Sequence, residues 1–233
     1  VMYHRYLNIK KEDPKWEDRD RFILSKGHAG IAYAPVLCDF GYNDPEQLKT
    51  FNLTNSKMGI HLDSNKVAGV DASTGSLGHG IPIAAGTAIA ARVLGKDYYT
   101  YVVTGDGELD EGSNWEGLMT IRHYNLTNCI TIVDRNHCMI DGNTEDVMKL
   151  EPLADKFVAF GFHTIVCEGN NIVSLCKAID EAHKTKDKPT VIVADTIKGV
   201  GIKLTSGNYK WHYGAIDEEM AKVAAKDLDE YSA

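Results

Sequence analysis

"VVTGDGELDEGSNWEGLMTIRHYNLTNCITIVDRNHCMIDG", residues 102–142, joins two apolar, β-branched segments. The first stops at Gly105-Asp106-Gly107. The second, Cys129–Val133, stops at Asp134-Arg135-Asn136. Thirty positions separate Asp106 from Asn136, a length suited to one crossover helix between parallel strands. Two buried strands thus end on hard oxygen donors, and if the strands are neighbours so are the donors. One carboxylate and one carboxamide suit magnesium or calcium, with phosphate oxygens completing the shell. Gly105 and Gly107 let the backbone approach an anion. Glu111-Gly112-Ser113 then opens a helix whose free N–H groups favour nearby negative charge. Alone, GDG reads as a plain turn and Asn136 as a strand-end cap. The crossover spacing, with Ile140-Asp141-Gly142 behind it, favours a cofactor site.

Outward from this stretch, short β-branched runs alternate with helical patterns. Tyr99–Thr104, Ile130–Asp134, His163–Cys167 and Thr190–Ala194 read as strands. Gly30–Phe40, Gly80–Leu94, Ser113–Tyr124, Leu150–Phe160, Asn171–Thr185 and Asp217–Tyr231 read as helices. The strands are almost wholly apolar, as expected when helices cover both faces of a parallel sheet. The expected fold class is therefore α/β, an open and mostly parallel sheet with helices on both faces. Residues 1–233 are expected to form a single domain. Asn52–Gly80 and Gly199–Gly214, rich in Gly, Ser, Asn and His, read as long functional loops. In open parallel sheets ligands bind beyond the C-terminal strand ends, where Asp106 and Asn136 fall.

Composition narrows the function. A hydrophobic content of 43% and a charged content of 25% fit a globular protein. A net charge of −8 argues against nucleic acid as the main partner. The longest apolar stretches, such as Ile81–Ala91, are too short to span a bilayer, and no leader-like segment is visible. Five cysteines, Cys38, Cys129, Cys138, Cys167 and Cys176, include no CxxC pair and read as reduced core thiols of a cytoplasmic protein. Cys138 beside His137 is not a nucleophile pair, because neighbours on an extended chain point to opposite faces. A nicotinamide-binding fold would need GxGxxG after a strand, whereas Gly105, Gly107 and Gly112 miss that spacing; a Walker lysine motif is absent.

The stretch "GDGELDEGSNWEG…VDRNHCMIDG" resembles the thiamine diphosphate signature of the transketolase family. The resemblance continues through "DRDRFILSKGHA" (18–29), "STGSLGHGI" (73–81) and "DTIKGVGI" (195–202), four motifs in order over nearly the whole chain. It implies that Asp106, Asn136 and the backbone carbonyl of Cys138 ligate Mg2+. It also implies that Gly107 contacts the diphosphate through its amide, that Gly75 and Leu77 line the aminopyrimidine end, and that Ile140 packs against the thiazolium. His28 and His61 match family histidines near the ketose. His212 resembles a histidine that reaches the diphosphate, with Tyr213 competing for that place. Lys198 lies where a family loop reaches the active site. Glu111 and Glu116 match acids that the family uses at its dimer interface, against a plain solvated face.

Departures from the pattern bear on specificity. His79 stands where the family usually has Gln, and the Gly59-Ile60-His61 loop lacks the Pro and Glu that follow it in long transketolases. The chain begins at Val1, after the point where the family's first SGH motif is expected, so an N-terminal piece is expected to be missing. The resemblance implies the diphosphate-binding subunit of a split transketolase, transferring a two-carbon glycolaldehyde unit from a ketose to an aldose, sugar phosphates included. The alternatives are deoxyxylulose-phosphate synthase, 2-oxo acid dehydrogenases and a non-catalytic cofactor-binding subunit. The expected partner is a separate chain with the pyrimidine-binding domain, in a heterotetramer with two cofactor sites. The surface near Glu111–Trp115 and the cofactor loops should then carry apolar area for the partner and a second copy of this chain.

Overall fold

The computed structural model describes residues 1–231; the last two residues of the expected domain lie outside the described residues. Five strands form one sheet: β1 (Arg21–Leu24), β2 (Thr100–Gly105), β3 (Cys129–Arg135), β4 (His163–Glu168) and β5 (Thr190–Asp195). Their spatial order is β1-β2-β3-β5-β4 and every neighbouring pair is parallel. The helices are α1 (Gly30–Phe40), α2 (Gly80–Val93), α3 (Gly112–His123), α4 (Thr144–Val147), α5 (Leu153–Ala159), α6 (Ile172–Lys184) and α7 (Glu218–Glu230). This is the α/β arrangement expected from the alternating pattern.

The sheet is covered on both faces. On one, Ala84, Ala88, Leu118, Ile121, Leu153 and Phe157 of α2, α3 and α5 pack against Val102, Val133 and Val191. On the other, Ala178, Ile179 and Ala182 of α6 pack against Tyr101, Ile130 and Ile192, while α1 packs Tyr33, Ala34 and Leu37 beside Phe22 and Leu24. Burying a side chain such as Ile121 or Leu118 contributes about 1.5–3 kcal/mol. Gly117 of α3 lets it lie close to α2: a Cβ there would come within 2.9 Å of the Pro82 nitrogen.

Differences from expectation are local. β1 was not anticipated, because only four of its residues are extended and charged residues precede them. The expected helix Leu150–Phe160 is shortened to Leu153–Ala159 because Pro152 sets its start. Asn171 and Asp217 cap α6 and α7 rather than belonging to them: each side chain accepts from backbone N–H groups of the first turn. β4, an edge strand, leaves Val166 61% exposed, so its apolar character does not reflect burial on both faces. Cys38, Cys129 and Cys138 are buried and all five cysteines are free; burial pushes the Cys129 thiol up to about 12. Among the described residues no helix is long and apolar enough to cross a membrane.

Candidate active site

The two loops of the quoted stretch meet at the C-terminal end of the sheet. β2 and β3 pair along their whole length, with Gly105 opposite Asp134, and the Asp106 amide donates to the Asp134 carbonyl at 3.2 Å. Asp106 and Asn136 therefore follow directly from adjacent strand ends. The Asp106 side chain is almost fully buried and accepts at both oxygens. Oδ1 takes the Gly107 N–H at 2.8 Å, and Oδ2 takes the His137 N–H at 2.6 Å and Arg135 Nη1 at 3.0 Å. Burial outweighs these bonds and raises its pKa.

Arg135 holds this turn from below. Its guanidinium, buried at the end of β3, also reaches Glu145 at 3.0 Å, Glu151 at 2.9 Å and Thr144 Oγ1 at 2.6 Å. Burial opposes its charge, but the bonds from Glu151 and Asp106 prevail and its pKa is raised. Planar, five-donor geometry suits Arg to such a multidentate cage.

Asp134 orients Asn136. The Asn136 amide donates from Nδ2 to Asp134 at 3.0 Å, and its Oδ1 accepts from the Cys138 N–H at 3.1 Å. The amide is thereby fixed with its oxygen turned away from Asp134. Asp134 also receives Lys26 Nζ and Thr196 Oγ1 in short contacts. Burial works against its charge, yet Lys26 above all holds its pKa below the usual carboxylate range. His137 completes the turn in a left-handed conformation (φ 62°), its ring bonded to Asp195 at 2.7 Å across to β5.

These groups face a cationic and imidazole cluster. Lys198, on the loop after β5, lies 3.3 Å from His212 Nδ1, and the rings of His212 and His28 are 5.0 Å apart. Burial first, then Lys26, lowers the pKa of both Lys198 and His28. Burial, Lys198 and His28 bring His212 down to about 4. The glycine-rich loop packs alongside: a Cβ on Gly75 would sit 3.4 Å from the His61 ring, and one on Gly27 would strike the Thr74 carbonyl at 2.4 Å.

The fold thus brings together Asp106, Gly107, Asn136, Cys138, His28, Lys198 and His212, with His61 against Gly75. Other expected site residues stand apart from these contacts. His79 is exposed just before α2 and makes no side-chain cap; Leu77 is half-buried in the glycine loop; Ile140 is 55% exposed. The Glu111 side chain lies against Gly78, where a Cβ would come 2.6 Å from its own. Tyr213, the rival to His212, is 77% exposed, while His212 is half-buried against Lys198. Cys138 is buried with a raised pKa, caused mainly by burial, which fits no nucleophile.

Sequence reasoning missed Lys26, Asp134, Arg135 and Thr196. A signal existed: Asp134 and Arg135 end a buried strand and Lys26 follows one, and buried charges need partners. Exposed Met119 follows Trp115 by one turn of α3 and exposed Met148 lines a hollow with Trp115, whereas Trp115 itself stacks on Phe157 and donates from Nε1 to Leu109 at 2.8 Å.

A metal–diphosphate pair makes definite demands on this donor set. Among the described residues no three His, Cys, Asp or Glu side chains could hold a metal together. The oxygens available are one carboxylate, one fixed amide and the Cys138 carbonyl, so phosphate oxygens would have to complete a hard-cation shell. Lys198, bonded to no carboxylate among the described residues, would supply a cation for those oxygens. The residues fit the group.

Comparison with known proteins agrees with this geometry. Residues 1–229 match the family described as "Transketolase, thiamine diphosphate binding domain". One of the subunits of the apulose-4-phosphate transketolase of Actinobacillus succinogenes is 39% identical over 227 residues, 97% of this chain and 82% of that one. The 6-deoxy-6-sulfo-D-fructose transketolase subunit SqwG of Clostridium sp. is 37% identical over 233 residues, 100% of this chain and 85% of that one. The crystal structure of transketolase from Campylobacter jejuni superposes with a TM-score of 0.91 at 31% identity, covering 96% of this chain and 36% of that one. Adjacent strand ends carrying Asp106 and Asn136, and a match over almost every residue, lead to one conclusion: the chain belongs to the transketolase family, in its thiamine diphosphate-binding domain.

Proposed function

We propose that this chain is the diphosphate-binding subunit of a split transketolase, working as one thiamine diphosphate-binding domain beside a partner that supplies the pyrimidine-binding domain. The observation that carries this reading is the pairing of β2 with β3, which sets Asp106 beside an Asn136 amide already turned by Asp134. Asp106, Asn136 Oδ1 and the Cys138 carbonyl hold Mg2+, and Gly107 N–H with Lys198 and His212 holds the diphosphate. Gly75 and Leu77 line the aminopyrimidine end and Ile140 covers the thiazolium. Glu111 and Glu116, both exposed, serve contacts between subunits.

When bound, the cofactor supplies the electron sink for breaking a carbon–carbon bond next to a ketose carbonyl. This chain's residues position the sugar and move its hydroxyl protons. His28 suits that work because burial and Lys26 keep its ring neutral near pH 7, leaving a nitrogen free to accept a proton. His61 lines the same opening, and His79, in place of the family's glutamine, bears on which donor is accepted. The relatives named for apulose 4-phosphate and 6-deoxy-6-sulfofructose support a ketose with an anionic terminus, phosphate or sulfonate, as the substrate class. The assembly is a cytoplasmic heterotetramer of two such chains and two partners.

The test is a ketol-transfer assay on the purified chain with Mg2+ and thiamine diphosphate, before and after adding the partner subunit. Silence alone and turnover with the partner are expected. Robust activity from this chain by itself, or no cofactor binding by the complex, would overturn the proposal.

A further inference from the structure

Glu108 is a buried carboxylate outside the ligand set just described. It sits in the 3-10 turn Gly107–Asp110, directly behind the metal turn, and is only 3% exposed. Among the described residues no cation bonds to it. Instead it accepts four hydrogen bonds, two on each oxygen. Oε1 takes the Ser25 hydroxyl in a short contact and the Gly78 N–H at 3.0 Å. Oε2 takes the Thr104 hydroxyl at 2.8 Å and the Gly105 N–H at 3.1 Å. Ser25, having donated to Glu108, accepts the Gly80 N–H at 3.1 Å. All the acceptor positions of an ionised carboxylate are thus in use.

Those donors come from three separate parts of the chain that surround the site. Ser25 directly follows β1 and precedes Lys26 and His28. Thr104 and Gly105 end β2 and precede Asp106. Gly78 and Gly80 bracket His79 at the end of the glycine-rich loop. The fit there is tight: a Cβ on Gly80 would lie 2.2 Å from Ser25 Oγ, and Gly78 has φ +86°. We infer that Glu108 is a positioning residue, setting the distance between the metal turn and the glycine-rich loop so that one cofactor can reach both. This rests on the reading of the site given under Proposed function.

A glutamine cannot replace it. Each oxygen faces a backbone N–H, which can only donate, so an amide NH2 in either place opposes a donor. One orientation releases Gly78, and therefore the loop; the other pushes on Gly105, and therefore on Asp106. A glutamine must loosen one side or the other.

The experiment uses the complex with its partner subunit, with thiamine diphosphate affinity measured by calorimetry at saturating Mg2+ and the ketose KM at saturating cofactor. Glu108→Gln should weaken cofactor binding at least about tenfold, or 1.4 kcal/mol, a larger change than in the ketose KM. Ile121→Val, in the core of α3, is the control for lost stability alone and should keep wild-type cofactor affinity. Should Glu108→Gln fail to fold, Ser25→Ala removes one donor and frees Gly80, and its cofactor affinity should fall by more than its KM changes. A folded Glu108→Gln with wild-type affinity, or a loss matched by Ile121→Val, overturns the inference; if Glu108→Gln does not fold, so does wild-type affinity in Ser25→Ala. A wild-type complex that binds no cofactor would instead sink the reading of the site itself.

Discussion

Replacing Asp106 by Asn keeps the side chain's shape and removes its charge. Oδ2 accepts two hydrogen bonds, from His137 N–H at 2.6 Å and Arg135 Nη1 at 3.0 Å, whereas Oδ1 accepts one, from Gly107 N–H at 2.8 Å. The amide oxygen therefore takes the Oδ2 place, and the NH2 is left facing the Gly107 N–H. One hydrogen bond to a charged acceptor is lost, about 1.5–3 kcal/mol. Arg135 is not orphaned, because Glu145 and Glu151 remain within 3.0 Å. For a chain of this size each kcal/mol lowers Tm by roughly 2–4 °C, so the variant stays folded with a measurably lower Tm. Cofactor binding suffers for a different reason. The expected metal shell loses its sole carboxylate, and the diphosphate loses the cation that lets it approach Asp134. Calorimetry of thiamine diphosphate with Mg2+ should show affinity reduced at least about tenfold, or 1.4 kcal/mol. Lower Tm with wild-type cofactor affinity would refute the metal-ligand role and leave Asp106 only its buried pair with Arg135.

His28→Ala should cut turnover of the complex by about 10²–10⁴ while cofactor affinity holds, as for loss of a general acid or base; wild-type turnover would reduce His28 to a structural role. Asp134→Ala frees the Asn136 amide and unpairs Lys26, and metal affinity should fall by roughly 10–100-fold, as for loss of an outer-sphere orienting group; wild-type affinity would mean that Asn136 needs no such orientation. His212 takes up its proton at about 4 in the folded chain and at about 6.5 when unfolded. The unfolded state then binds the extra proton across that window, so this residue's effect is to lower stability as pH falls from 6.5 to 4 and to add nothing further below it. Proton NMR of the His212 ring checks this directly, and a midpoint near 6.5 would contradict its burial beside Lys198.

The α/β class was legible because four of the five strands are continuous apolar runs and the helices between them have clear starts, as at Asn171 and Asp217. The pair Asp106 and Asn136 was legible because crossover length and strand-end position together imply adjacency. β1 was hidden, since four residues leave too little periodicity to separate Phe22-Ile23-Leu24 from the charges before them. The cages around the site were hidden for another reason. Arg135 lies 10 positions from Glu145 and 16 from Glu151, and Lys26 and Asp134 lie 108 apart, so no local pattern joins them. Glu108 reads as one more acid in Glu-Leu-Asp-Glu until the loop from Gly75 to Gly80 is folded over it.

The charges around the site explain why metal and diphosphate belong together. Asp106, Asp134 and Glu108 are three acids close to the ends of β2 and β3. Glu108 spends its lone pairs on neutral donors, and Asp134 is offset by Lys26. Asp106 shares Arg135 with two further carboxylates, and burial raises its pKa in spite of that shared cation and its backbone donors. Lys198 is its opposite: a half-buried ammonium, bonded to an imidazole and lowered by burial and by Lys26. A diphosphate alone would satisfy Lys198 but repel Asp106. A divalent cation alone would satisfy Asp106 and meet Lys26 and Lys198 unscreened. The two together would relieve both, with Asp106 holding the cation and Lys198 available to the anionic oxygens. On the proposed reading of the site, these charges would favour a metal-bound polyanion over either component alone.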